Sequence, residues 1–299
     1  MDSALGQTAK IASAPISWGI IELDDWGYQL SADRVFREMR EVGFTATEIG
    51  PDGFLPTDPT EKVEYLAKAG LKGIGSFLPV ILHRDDVDPL PRVIRELDAF
   101  AAIKGEVLVL GAITGEASYD QTRTPLTDSQ WTTLFANLER VTELAAQRGV
   151  RAALHPHVGT VVETLADVER VLADSSMQFC FDTGHLLIGG TDPVWFASTH
   201  ADRVAHVHLK DVSLDVLRRV KSGELSYHEG CVQGLYQPLG RGDIDIRTIV
   251  AALTGASFDG WFALEQDQVL QSAPPEGRGP IEDAKASLVY LQNVLVSLV

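Results

Sequence analysis

Two cysteines, Cys180 and Cys231, are all that the 299 residues contain. They are too few for a disulfide framework. Cys180, inside MQFCFD, reads as a small buried hydrophobe. Positive charge is scarce too: 25 Lys and Arg stand against 42 Asp and Glu, a net charge of −17 with a pI near 4.8. Such a surface repels phosphate backbones and anionic lipid, which argues against nucleic-acid and membrane partners. A local cationic pocket for a small anion is compatible with it. No apolar run reaches the ~20 residues of a membrane span, and MDSALGQTAK has no basic region followed by an apolar one. A soluble cytoplasmic protein is the expectation. Also missing are a GxGxxG or GxxxxGK[ST] phosphate loop after any strand-like run, low-complexity segments and an interdomain linker.

What is present is alternation. Hydrophobic residues make up 45% of the chain, enough for a large core. Eight short apolar runs read as strands: 10–18, 44–50, 71–77, 106–112, 150–157, 177–182, 204–210 and 261–267. Amphipathic stretches at 31–43, 60–70, 129–149 and 280–299 read as helices between or after them. In the second, Val63, Leu66, Ala67 and Gly70 share a face. Gly43, Gly70 and Gly149 end helices just before the next strand. Strands buried on both faces and separated by helices make a parallel sheet. Eight units at this length predict an α/β fold, a (β/α)8 TIM barrel, rather than an open doubly wound sheet. The expected organisation is a single barrel domain over 1–299. A long loop at 212–243 follows strand seven, suited to a lid or to a contact in a homo-oligomer.

Barrel chemistry collects at the C-terminal strand ends. Those ends read Glu48, His155 with His157, Asp182, His208 and Glu265. With a strand's period of two, His155 and His157 share a side, as do His206 and His208. Imidazoles and carboxylates converging from four strand ends suit Mn²⁺, Co²⁺, Zn²⁺ or Fe²⁺ better than Ca²⁺, with Mg²⁺ less suited. Taken singly, each residue has a plain structural reading. A strand-end histidine can be core, Asp182 in DTGH can cap a helix, and Trp18 can be packing. Taken together, four such residues in units five to eight point to one site.

CFDTGH, HVHLKD, LGRGDIDI and GWFALEQD together resemble the xylose-isomerase-like TIM barrels, over nearly the whole chain. IASAPISWG, GFTATEIGPDGFLP and HPHVGTVVET make the chain most similar to the inosose dehydratase branch. That resemblance implies dehydration of 2-keto-myo-inositol with Mn²⁺ or Co²⁺, a small-molecule keto-sugar or cyclitol substrate, and a place in inositol catabolism. It also implies a metal site of His155, Asp182, His208 and Glu265. Relatives usually carry glutamate at the first of these. The histidine puts a symmetric two-glutamate epimerisation in doubt and favours dehydration. A metal-dependent sugar isomerase or 3-epimerase is the alternative, and a non-catalytic sugar-binding barrel the lesser one. An AP-endonuclease-like role is disfavoured by the −17 charge.

Dehydration needs a base for the proton next to the carbonyl and an acid for the departing hydroxyl. The candidates are His157, His185, Lys210 and Glu163. Glu48, Trp18 and Arg241 are candidate substrate contacts. Arg241 lies in LGRGD, whose glycines alone also explain a tight turn.

Overall fold

The computed structural model describes residues 9–23, 25–116, 118–120 and 123–298. Eight parallel strands close a barrel: β1 (Lys10–Ser13), β2 (Ala46–Glu48), β3 (Lys72–Val80), β4 (Val107–Ala112), β5 (Arg151–Leu154), β6 (Phe179–Asp182), β7 (Val204–Leu209) and β10 (Trp261–Leu264). Each pairs with the next around the ring, and β10 pairs with β1 through Lys10↔Trp261 to Ser13↔Leu264. Closure leaves no unpaired edge. The helices α1 (Ala32–Val42), α2 (Pro59–Ala69), α3 (Leu90–Ile103), α4 (Asp128–Gln147), α5 (Leu165–Asp174), α6 (Thr183–Gly189) and α7 (Pro193–Thr199) follow in alternation with the strands. Past the long connection come α10 (Ile246–Gly255) and α11 (Pro280–Val296). No helix among the described residues is long and apolar enough to cross a membrane.

Alternation along the strands builds two cores. In β4, Val107 and Val109 pack with Ala153, Cys180 and Ala205 in a small cluster against Phe77. Leu108 and Leu110 join the large cluster that includes helix residues such as Leu97, Leu134 and Val141. Each fully buried aliphatic side chain contributes roughly 1.5–3 kcal/mol relative to exposure. The helix ends follow the sequence signals. Gly43 and Gly70 close α1 and α2 in the left-handed conformation, at φ 111° and 71°, which costs glycine little.

Seven of the eight expected strands are shorter than their apolar runs, and two of these end early in ways that move site residues. The first stops at Ser13, because Pro15 opens a 3-10 turn over Pro15–Trp18 that Gly19 closes at φ 79°. The fifth stops at Leu154, so His155 and His157 sit on the segment leaving the strand. The stretch expected as loop 212–243 carries structure of its own. Asp211–Val212 (β8) and Tyr236–Gln237 (β9) form an antiparallel ribbon, with α8 (Leu214–Lys221) and α9 (Tyr227–Val232) between them.

Candidate metal centre and active site

Asp182 ends β6 and caps α6. Its Oδ1 accepts the amides of Gly184 at 2.9 Å and His185 at 2.8 Å. Its Oδ2 lies 3.2 Å from His155 Nε2, 2.9 Å from Lys210 Nζ and 3.5 Å from His208 Nδ1. Cap and site residue are thus one carboxylate with its two oxygens divided, and the cap fixes the orientation of the other oxygen.

His208 is held from behind. Glu48 Oε1 accepts from His208 Nε2 at 2.8 Å and from His206 Nε2 at 2.7 Å. A carboxylate oxygen only accepts here, so the His208 proton is on Nε2. In the neutral ring, Nδ1 then presents a lone pair 3.1 Å from Glu265 Oε2, with no hydrogen-bond partner. A buried lone pair between two carboxylates needs a cation or a second proton. The nearby negative charge does draw a proton: burial pulls the imidazole down, but the Glu265 and Glu48 carboxylates outweigh it and hold His208 well above its ordinary value.

Lys210 is the one ammonium of the cluster. Its Nζ lies 2.9 Å from Asp182, 3.0 Å from Glu265 and 3.0 Å from Asp267. Burial alone lowers its pKa, but Asp182, Asp267 and Glu265 hold it well above the usual lysine value. Burial likewise pushes Asp182 up, and the Lys210 ammonium and the hydrogen bonds from His155 and His208 override it, so the carboxyl stays well below its ordinary range. Burial depresses His155, His157 and His185, which therefore stay neutral. It also pushes the Cys180 thiol up to about 12.

Four buried carboxylates, Glu48, Asp182, Glu265 and Asp267, stand in the cluster, three of them on one lysine and Glu48 on His206 and His208. That excess of buried negative charge is what a divalent cation offsets. Ligand atoms of Asp182, His208 and Glu265 lie within 4.8 Å of one another; His155 shares a second such group with Asp182 and His185. Neutral imidazole and carboxylate oxygen at this spacing fit a divalent transition ion.

The cluster opens into a cavity of about 600 Å³ lined by Glu48, His155, His157, His208, Lys210 and Glu265, a volume usual for a small-molecule site. The ring of His185 stacks on that of His157 with centroids 3.7 Å apart. Five predicted residues stand outside the cavity lining: Asp182 and His185, buried directly behind it within the cluster, and three that lie elsewhere. Trp18 is fully buried and donates Nε1 to Glu38 at 2.8 Å, because the 3-10 turn directs it into the core. Glu163 accepts the Gly159 amide at 3.0 Å and so pins the turn after His157. Arg241 is exposed and lines a separate shallow hollow beside Pro238 and Asp283.

Asp267 and His206 complete the cluster; the strand period places His206 on the side of His208, whereas Asp267 is not among the residues read from the sequence. Asp267 also accepts from Tyr227 OH at 3.2 Å and lies 3.4 Å from His185 Nε2. It follows Glu265 by two residues, as Lys210 follows His208, and that parallel is the signal that could have found it.

A family model described as xylose isomerase-like TIM barrel matches residues 36–292. The inosose dehydratase of Geobacillus kaustophilus (strain HTA426) is 31% identical over 298 residues, covering 96% of this chain and 94% of its own. Two solved structures share the fold. An L-ribulose 3-epimerase covers 97% of this chain and 95% of its own at 18% identity and a TM-score of 0.67. The IOLI protein, solved with a zinc atom, covers 97% and 99% at 13% identity and a TM-score of 0.71.

Proposed function

We propose that this chain, which belongs to the xylose isomerase-like TIM barrel family, dehydrates a 2-keto-cyclitol of the 2-keto-myo-inositol type by enolisation and β-elimination of water. The observation that carries the reading is a buried, ion-ready group of Asp182, His208 and Glu265 whose His208 and Glu265 line one cavity with neutral His157 and charged Lys210. The likeness to an inosose dehydratase along nearly the full chain supports it. Asp182, His208 and Glu265, with His155 beside Asp182, would hold the ion, and Mn²⁺ or Co²⁺ is the choice we propose. When bound, such an ion supplies Lewis-acid stabilisation of the negative charge that develops on the carbonyl oxygen.

The chain's own groups supply the rest. His157 Nδ1 donates to the Val158 carbonyl at 2.7 Å, so the lone pair of the neutral ring is on Nε2. That nitrogen is the base for the proton next to the carbonyl. Lys210, kept charged by its carboxylates, donates to a substrate oxygen and steadies the enolate. Glu48 acts through His208, whose ring it orients. Histidine in place of glutamate after β5 leaves an asymmetric pair of groups, which suits elimination better than a two-glutamate epimerisation. Two buried free cysteines suit a cytoplasmic setting.

Incubation of the Mn²⁺-loaded protein with 2-keto-myo-inositol tests the reading, with the absorbance of a conjugated enone-diol product as the readout. Interconversion of ketoses without that absorbance would move the assignment to a sugar isomerase or epimerase.

A further inference from the structure

The cluster on β5, β6, β7 and β10 accounts for a base and a charged donor. It leaves open which group protonates the departing hydroxyl. The loop after β1 brings another carboxyl to the same cavity. Glu22 lines it together with Tyr119, from the loop after β4, and neither belongs to the cluster described above. The Tyr119 hydroxyl donates to Glu22 Oε1. The Tyr119 ring packs on His157, with centroids 4.5 Å apart. Tyr119 therefore touches both groups, its hydroxyl on the Glu22 carboxyl and its ring on the His157 imidazole, and all three line the same cavity. Among the described residues, Tyr119 is the one side chain hydrogen-bonded to Glu22.

We propose that Glu22 is the general acid of the elimination, held in place by Tyr119 as a positioning residue. The proposal rests on the dehydratase reading above. In the step, His157 takes the proton from the carbon next to the carbonyl, and the C–H electron pair is held as the enolate; when the enolate collapses, that pair becomes the new C=C bond. The C–O pair leaves with the hydroxyl oxygen, which takes the Glu22 proton and departs as water. Glu22 is left as carboxylate and His157 as imidazolium, and return of one proton through water resets both. The surroundings favour a carboxyl that keeps its proton. Burial raises it, and Asp267 adds to that, while the Tyr119 hydrogen bond and Arg92 pull it down; the net direction is upward.

The test is α-proton exchange against elimination, followed on 2-keto-myo-inositol in D₂O with the Mn²⁺-loaded protein. The Glu22→Gln variant should still exchange the α proton at close to the wild-type rate, while elimination falls about 10²-fold or more. An analogue with fluorine in place of the leaving hydroxyl should recover most of that loss, since fluoride needs less acid assistance. Glu22→Asp, which keeps an acid, should recover part of it with the natural leaving group. Tyr119→Phe removes a bond that favours the carboxylate, so the alkaline limb of the kcat profile should move to higher pH. Elimination at the wild-type rate in Glu22→Gln overturns the assignment alone, as does a parallel fall of exchange and elimination that fluoride does not rescue. Wild-type protein that neither exchanges nor eliminates removes the dehydratase reading and this assignment with it.

Discussion

His157 and His185 stack on each other yet carry their protons on different nitrogens, and the backbone of one residue sets both. The Val158 carbonyl accepts from His157 Nδ1 at 2.7 Å, and the Val158 amide donates to His185 Nδ1 at 3.5 Å. His157 is left with a basic Nε2, whereas His185 keeps its proton on Nε2 near Asp267. His157→Gln should therefore lower kcat roughly 10²–10⁴-fold and lower α-proton exchange with it, whereas loss of elimination with exchange intact would contradict the base role. The base works deprotonated, and burial holds its pKa well below 6.5. The kcat profile should stay flat as pH drops through 6.5 and fall only below it; an acid limb centred at or above 6.5 would count against His157. Much of this was readable in LHPH, because two imidazoles past an apolar strand share a side. Asp267 was within reach by its spacing from Glu265. Glu22 and Tyr119 were not, because they sit on loops whose approach to the cavity is set by tertiary packing. Trp18 and Arg241 went elsewhere for lack of any local signal of direction.

The best-explained element is the connection after β7. Asp211, fully buried, accepts amides from Val212, Gly240, Gly242 and Ile244 at 2.8–3.0 Å. LGRGD is thus a turn wrapped round a carboxylate, with Arg241 pointing out to solvent. A Cβ on Gly242 would sit 2.3 Å from Asp211 Oδ1. Gly242→Ala should cost on the order of 1–3 kcal/mol and lower the Tm by a few degrees with kcat little changed; an unaltered Tm would show that the turn yields. The eight strands and main helices were legible because both-face burial and 3.6-residue periodicity persist over many residues. The ribbon and its two short helices were not, since elements of two to eight residues carry almost no period.

At the scale of the whole molecule, buried titration links the site to stability. Burial lowers His155, His157, His185 and His206 from the ordinary 6.5. As pH drops below about 6.5, the unfolded chain binds protons that the folded chain refuses, so stability falls. His208, raised, acts oppositely: its contribution is present below 6.5 and is lost as pH rises through its folded value. Four groups oppose one, so the Tm should peak on the neutral side and drop in mild acid; a Tm still rising below pH 6 would contradict these burials. Mn²⁺ at a hundred times its Kd should add about 2.7 kcal/mol, read as a chelator-reversible rise in Tm. Asp182→Ala or Glu265→Ala should abolish that rise, and stoichiometric metal retained by either variant would remove the site from this cluster. The barrel brings these residues together from four strand ends, and their convergence is what an enolising, water-eliminating site requires. The most direct measurement is kcat/KM on 2-keto-myo-inositol and on a panel of ketoses, with one Mn²⁺-loaded preparation and product identity by NMR. Dehydration should exceed any ketose epimerisation by about 10²-fold or more, a gap of roughly 2.7 kcal/mol in barrier. Epimerisation as the faster reaction, with no enone-diol formed, would contradict the account.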